Sequence, residues 1–293
     1  MNMKTVICLL TFITPFMGIT QTGSEIYLFD MKVEGKSISL SNPINITLHK
    51  GYDNQPFFAR TEPVIYYVSA IDTGVVTDIK AYNFITKKTI SITNTKEKEY
   101  SPTLTPDNKF ISCIIQRESG AQDLGKYPIN GGEALILINT LQVGYHAWMD
   151  ENRLLLFILD DTARNSLHIY NLLTKEDKVI MNKPGRSLHQ IPGQDASSFV
   201  DKSSAKEWMI KKLDNKTLNV SMIGFTLPGH EDYVWANNGL LMMSDGLKIY
   251  SYQPGSIKGW QTINFMNNNP LIKGITRMAI NADNTKLAVV VSE

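Results

Sequence analysis

Three of the five histidines in this 293-residue chain recur at nearly constant intervals and could bind a metal ion or a polar ligand. They are His146, His189 and His230, which lie 43 and 41 residues apart. Imidazole nitrogens combined with a carboxylate form a ligand set that suits zinc or manganese. Such a site requires a fold that brings all three positions together. Three unrelated loop histidines are the other interpretation, and the spacing leaves both open.

Other catalytic chemistry has little support in the sequence. The chain contains no Gly-x-Ser-x-Gly motif, no phosphate-binding glycine-rich loop and no His-Glu-x-x-His motif. Cys113 lies in the apolar segment 110–115, where we expect a buried, inert thiol rather than a nucleophile. We therefore assign no catalytic residue and expect no cofactor. The 29 basic and 28 acidic residues leave a formal charge of +1, a balance that argues against nucleic-acid binding.

The first twenty residues have the pattern of a signal peptide. Lys4 is their only charge, an apolar run covers 6–17, and the small residues Gly18 and Thr20 precede Gln21. The apolar run is shorter than the roughly 20 residues that a membrane-spanning helix needs. We expect cleavage near Gln21 rather than a retained membrane anchor. The mature chain, 21–293, is then exported to the periplasm or secreted, and has no membrane span.

The rest of the chain is organised as repeats. Each repeat has a short segment ending in an apolar anchor residue, then a polar turn and a strongly apolar strand. The six anchors are Phe58, Leu104, Trp148, Ile191, Trp235 and Ile280. They are separated by 46, 44, 43, 44 and 45 residues, a period typical of propeller blades. The tryptophans recur at anchor positions, so we interpret them as core residues rather than a stacking platform.

Six such repeats account for the chain that follows the signal peptide, and seven do not fit. The last repeat ends soon after its apolar strand, and the missing outer strands resemble segments 25–30 and 36–40 near the other terminus. Joining both termini in one blade removes an open sheet edge. The sequence therefore predicts an all-β fold: a single six-bladed β-propeller of four-stranded antiparallel blades, closed by N- and C-terminal strands in one blade.

Two segments carry a recognisable repeat motif. Thr105–Ile111 and Asn281–Leu287 resemble the SPDG(K/T)-x-(I/L) signature of PD40, the WD40-like repeat found in TolB. Pro-Asp-Asn suits a type I turn that joins the innermost strand of a blade to the next strand. The other four repeats have degenerate forms of the motif. The resemblance implies a TolB-like six-bladed propeller, exported and usually periplasmic, in a family that more often binds partners than performs chemistry.

A propeller would bring the three histidines close together, because the segments leading into the innermost strands meet at one mouth of the central channel. The histidines precede the innermost strands of three consecutive blades, whereas His49 and His168 are expected at the surface. The candidate ligand-binding residues at this mouth are Tyr145, His146, His189, Gln190, His230, Asp232 and Arg277.

These residues support two hypotheses. The first is an exported, non-enzymatic binding module whose channel mouth or loop face binds a protein or glycan partner. The alternative is a metal-assisted polysaccharide lyase or glycan hydrolase that uses His146, His189 and His230. The arrangement of these histidines resembles that of some propeller lyases, which act on acidic sugars and bind a divalent metal through histidine and glutamine ligands. Whether a metal is bound is unknown from the sequence.

Overall fold

The computed structural model describes residues 23–71, 76–160, 164–265 and 272–292. The predicted signal peptide, 1–20, lies outside the described residues. Within these ranges every extended regular element is a β-strand. No helix among the described residues is long and apolar enough to cross a membrane.

The strands group into units of four, taken here in chain order. The chain starts with β1 (Ser24–Glu34) and β2 (Ser37–Asn45). Blade one contains β3 (Gly51–Phe58), β4 (Val64–Ile71), β5 (Asp78–Asn83) and β6 (Lys88–Ser91). Blade two contains β7 (Lys98–Leu104), β8 (Phe110–Gln116), β9 (Gln122–Pro128) and β10 (Leu135–Ile138). Blade three contains β11 (Val143–Trp148), β12 (Arg153–Ile158), β13 (Ser166–Asn171) and β14 (Asp177–Asn182).

The second half of the chain repeats this order. Blade four contains β15 (Pro184–Gln190), β16 (Ala196–Asp201), β17 (Met209–Asp214) and β18 (Val220–Phe225). Blade five contains β19 (Tyr233–Trp235), β20 (Leu241–Ser244), β21 (Ile249–Tyr252) and β22 (Gln261–Thr262), and is followed by β23 (Asn264–Phe265). The chain returns through β24 (Ile275–Ile280) and β25 (Lys286–Ser292). Consecutive strands pair antiparallel within each blade, and all six anchors end or directly follow the innermost strand, which confirms the predicted repeat.

Blade six is built from both ends of the chain, as predicted. β24 pairs with β25, β25 pairs antiparallel with β1, and β1 pairs with β2. The β1–β25 register runs from Ser24 opposite Ser292 to Asp30 opposite Lys286, and the last two side chains also form an ion pair. This arrangement closes the ring, and a single parallel pairing of Ser24 with Tyr52 joins blade six to blade one.

The apolar core lies between neighbouring blades. The six residues of β12 illustrate it, because five are buried in succession instead of alternating with exposed positions. A central strand of a blade has a neighbouring blade on each face, so both of its faces are covered. Cys113 on β8 is fully buried, and burial raises the pKa of its thiol well above the usual value. The expected inert thiol therefore lies in the core.

The Pro-Asp-Asn motif forms the turn that the sequence predicts. The amide of Asn108 donates to the carbonyl of Thr105 at 3.0 Å, and Asn108 has a φ of 59°. The Thr105 hydroxyl donates to the Asp107 carboxylate at 2.6 Å. The turn joins β7 to β8, so the motif connects the innermost strand to the second strand of its blade.

Candidate functional site

The innermost strands of the six blades line a central channel with a volume of about 770 Å³. The channel is wide enough for a small ligand, since binding sites for such molecules typically occupy about 300–1,000 Å³. Six of the seven candidate residues line it, namely Tyr145, His146, His189, Gln190, Asp232 and Arg277. Arg186, which the sequence analysis did not single out, lines it as well.

One hydrogen bond crosses this channel. Arg277 on β24 donates from Nη2 to the hydroxyl of Tyr145 on β11 at 3.1 Å, and its guanidinium carbon lies 5.3 Å from the centre of the tyrosine ring. Blades three and six are opposite each other in a ring of six. The Arg277–Tyr145 pair therefore spans the channel near the end where the innermost strands begin.

A second cation lies beside this bridge. The Nε of Arg186 donates to Asp232 Oδ1 at 3.1 Å, and its Nη2 donates to the other carboxylate oxygen. Burial raises the pKa of Asp232, but Arg277 and Arg186 outweigh it and hold that pKa below its usual value. The neighbouring Glu231 accepts from the Arg186 amide at 2.9 Å and pairs with Lys202 at 3.4 Å. Asp232 is therefore ionised, and Asp232 and Glu231 each have a cation close by.

Two tyrosines near the starts of the innermost strands of blades one and two, Tyr52 and Tyr100, lie close enough to this group to interact with it electrostatically. Burial raises the pKa of Tyr52 to about 12, a rise that Arg277 and Arg186 oppose and that Tyr145 and Tyr100 increase. Each blade thus contributes one side chain near the start of its innermost strand. We call this set the channel ring; its members are Tyr52, Tyr100, Tyr145, Arg186, Asp232 and Arg277.

His146 is buried and engaged in a contact between two blades. Its Nε2 lies 2.7 Å from the hydroxyl oxygen of Ser112 on β8. Its Nδ1 is buried and has no hydrogen-bond partner among the described residues. Burial lowers the pKa of His146 to about 3, so the imidazole is neutral at physiological pH.

The other two predicted histidines lie in different surroundings. His189 Nε2 lies 2.9 Å from the Ser187 hydroxyl, its ring lies 4.7 Å from that of Tyr233, and burial lowers its pKa to about 4. His230 lies in a separate cavity of about 260 Å³, which shares Arg186 and Arg277 with the channel. Three members of the channel ring, Arg186, Asp232 and Arg277, line both cavities.

Three sequence-based placements of histidine need correction. His146 and His189 lie within the innermost strands β11 and β15, and only His230 precedes its strand. The three do not line one cavity. His168 is buried rather than at the surface: its Nδ1 lies 2.7 Å from the Asp177 carboxylate and its Nε2 lies 2.7 Å from the Ser166 hydroxyl. Burial of this imidazole is tolerated because both ring nitrogens have partners, one on the adjacent strand β14 and one on its own strand.

The described part of the chain contains no group of three or more His, Cys, Asp or Glu side chains placed to hold a metal ion. The geometry instead suits the binding of a polar ligand. Arg186, Tyr52 and Tyr100 could have been found by comparing the start of each innermost strand across the six repeats. The offsets from the anchors are unequal, however. They are three residues in blades three, five and six, and longer in blades one, two and four, where a register shift lies between the ring residue and the anchor.

Solved structures share this fold. One is a putative TolB from Agrobacterium tumefaciens, with a TM-score of 0.64, 11% identity and coverage of 93% of this chain and 99% of that one. Another is TolB from Acinetobacter baumannii, with a TM-score of 0.58, 13% identity and coverage of 92% of this chain and 65% of that one. This chain thus spans just under two thirds of the Acinetobacter protein. A chain of a nidogen–laminin complex matches with a TM-score of 0.62, 10% identity and coverage of 92% and 98%. The fold is a TolB-like β-propeller.

No family model and no curated protein sequence matches the chain. At these identities the structural likeness establishes the fold alone, because one fold hosts many functions. The function must therefore be argued from the channel itself.

Proposed function

We propose that this chain is an exported, non-enzymatic binding module, with 21–293 as a single propeller domain that receives a protein or glycan partner at its central channel. The signal-peptide pattern of residues 1–20 supports export to the periplasm or the cell exterior. The TolB-like fold is compatible with such a role, since propellers present a ring of loops and a channel to a partner.

The observation that carries the proposal is the polar channel ring. Arg186 and Arg277 contribute two positive charges, while Asp232 is the ring's own carboxylate. Charged groups away from bulk water are costly unless they are paired, so an excess cation in a cavity favours an anionic ligand group. Gln190 is exposed at the channel and can contact a partner that enters.

The alternative of a metal-assisted lyase or hydrolase lacks a ligand set in this geometry. It requires that His146, His189 and His230 share one ion. His146 Nε2 already contacts Ser112 at 2.7 Å, and His230 lies in the smaller cavity. We therefore favour binding over metal-assisted cleavage.

Site-specific photo-crosslinking tests where the partner binds. A photoreactive benzoylphenylalanine replaces Gln190 at the channel, or Leu173, which is 73% exposed in the outer turn of blade three. After irradiation of cells that export the chain, we expect discrete adducts from position 190 and none from position 173. Adducts from position 173 alone would place the partner on the rim and contradict the channel proposal.

Export is tested separately on the same cells. N-terminal sequencing of material from outside the cytoplasm should return Gln21 or a residue next to it. Recovery of the full-length chain in the cytoplasm alone would contradict this part of the proposal.

A further inference from the structure

The channel ring has a defined charge that limits what it can bind. Arg186 and Arg277 are cationic and Asp232 is anionic, which leaves one net positive charge. Glu231 and Lys202 form an ion pair beside the ring and add none. Tyr52 is a neutral phenol at physiological pH, because burial raises its pKa to about 12.

The neighbouring histidines do not change this charge. Burial lowers the pKa of His189 to about 4 and that of His146 to about 3, so both are neutral near pH 7. One singly charged anionic group would balance the ring. A dianionic phosphate would leave a net negative charge in a confined cavity, which is unfavourable.

Arg277 is the ring member with donors to offer. Both Nε and Nη2 of Arg186 are already directed at Asp232, whereas Arg277 makes its hydrogen bond to the hydroxyl of Tyr145. The described residues provide Arg277 with no direct ion pair to a carboxylate. A guanidinium presents its donors as a planar fork that matches the two oxygens of a carboxylate.

We propose that the channel ring binds a single carboxylate of the ligand, held by the fork of Arg277 and by the hydroxyl of Tyr145. Tyr145 accepts a hydrogen bond from Arg277, so its own proton is available to donate to a ligand oxygen. Such a group can come from a uronic acid of a glycan or from the C-terminus of a peptide. This inference rests on the proposed function and specifies the chemistry of its site.

Calorimetric titration of the mature chain with two carboxylates, their two neutral counterparts and inorganic phosphate tests the proposal. Digalacturonate and N-acetyl-triglycine supply the carboxylates. Their neutral counterparts are the methyl ester of digalacturonate and the amide of N-acetyl-triglycine. We expect a carboxylate probe to bind and its neutral counterpart to bind at least about tenfold more weakly, since the neutral form cannot make charge-assisted hydrogen bonds to Arg277. The tighter of the two carboxylates identifies the source. Binding of neither, equal binding of acid and neutral forms, or tighter binding of inorganic phosphate would overturn the proposal.

Substitutions locate the carboxylate within the channel. Arg277→Gln should weaken the binding of the carboxylate probe at least about tenfold, and Tyr145→Phe should weaken it less. Arg60→Gln is the matched control, because Arg60 lines the same channel but follows the end of β3 rather than the start of an innermost strand. Equal affinity in wild type and Arg277→Gln would contradict the proposal, as would a larger loss in Arg60→Gln.

Two further measurements keep the outcome interpretable. If Arg277→Gln fails to fold, Arg277→Lys keeps the charge but removes the fork, and should bind the carboxylate probe more weakly than wild type. Photo-crosslinking from position 190 separates the two proposals. If a folded Arg277→Gln chain keeps both the adducts and its affinity for the carboxylate probe, the channel-binding function stands and the carboxylate site is refuted.

Discussion

The junction between blades two and three and the junction between blades four and five are built alike. In each, a serine on the second strand of one blade accepts a hydrogen bond from the indole of the next blade's anchor tryptophan. Trp148 Nε1 lies 2.9 Å from Ser112 Oγ, and Trp235 Nε1 lies 2.8 Å from Ser198 Oγ. We call these the Ser112 and Ser198 junctions. Both tryptophans are buried, as expected for core residues.

The two junctions differ at the residue that lies two positions before the tryptophan. At the Ser198 junction it is Tyr233, whose hydroxyl donates to Ser198 at 2.8 Å. At the Ser112 junction it is His146. Ser112 donates its own proton to the Thr103 carbonyl at 2.9 Å, so we assign the Nε2 proton to His146, which then donates to Ser112.

The difference shows that His146 has the structural role of a tyrosine hydroxyl. Its Nε2 carries a proton in this tautomer and is not free to bind a metal, and its Nδ1 is buried. Recurrence of histidine along the sequence therefore did not reflect a shared site. The same role is taken by a different residue at the other junction, so the two can be compared by substitution.

The largest effect is expected from removing the tryptophan at either junction. Trp148→Ala and Trp235→Ala should each lower the free energy of unfolding by about 3–5 kcal/mol, because each leaves a cavity between blades. Urea unfolding followed by circular dichroism measures this loss. Trp208→Ala is the control, since Trp208 is half-exposed beside Lys202 and should cost less. An equal loss of unfolding free energy in the control would mean that the junction tryptophans stabilise the fold no more than a half-exposed tryptophan does.

Removing the serine should have the next largest effect. Ser112→Ala and Ser198→Ala each remove the shared acceptor of two buried donors, at a cost of about 1–3 kcal/mol. Ser101→Ala provides a matched control, because the buried Ser101 hydroxyl has no hydrogen-bond partner among the described residues. The same unfolding titration should show little change in that variant. Equal losses in all three serine variants would contradict the assigned hydrogen bonds.

Acid should distinguish the two junctions. The pKa of His146 is about 3 in the folded chain and about 6.5 when unfolded, so only the unfolded chain takes up the proton as pH falls below 6.5. Stability is therefore lost toward acid, by about 1.4 kcal/mol between pH 7.5 and 5.5 for this group. His146→Gln should remove that loss, while the loss due to His189 remains in both proteins. The free energy of unfolding is measured at both pH values in wild type and in His146→Gln. An equal loss toward acid in the two proteins would contradict the buried neutral imidazole.

The smallest effect is expected from Tyr233→Phe. The variant keeps the ring and loses one hydrogen bond to Ser198, which still accepts from Trp235, so we expect a loss of about 1 kcal/mol. Tyr250→Phe is the control, because its hydroxyl bonds the surface carboxylate of Asp245 at 2.7 Å. The Tyr233 variant should also keep the acid dependence of wild type. A loss above that of the serine variants would indicate repacking rather than a lost hydrogen bond.

Much of the fold could be predicted because its determinants are local. The polar turn at Asp107, the apolar run of β12 and the recurrence of anchors such as Trp148 are each visible in short stretches of sequence. The closing blade was predictable for a different reason: the incomplete last repeat lacks outer strands, and segments near the N-terminus match them, so joining the two ends removes an open sheet edge. The candidate site was predicted less well: six candidate residues do line the channel, but Arg186 was missed and His230 lies elsewhere.

The sequence by itself determined the repeat, its length and the turns, because hydrophobic period and turn chemistry act between near neighbours in the chain. Only the tertiary structure decided which side chains meet. Arg277 and Tyr145 are 132 residues apart, and register shifts lie beside both, between Ile275 and Arg277 and between Val143 and Tyr145. A shift of one residue moves a side chain to the other face of its strand. Which residue faces the channel therefore depends on the closed ring, where opposite blades come within hydrogen-bonding distance.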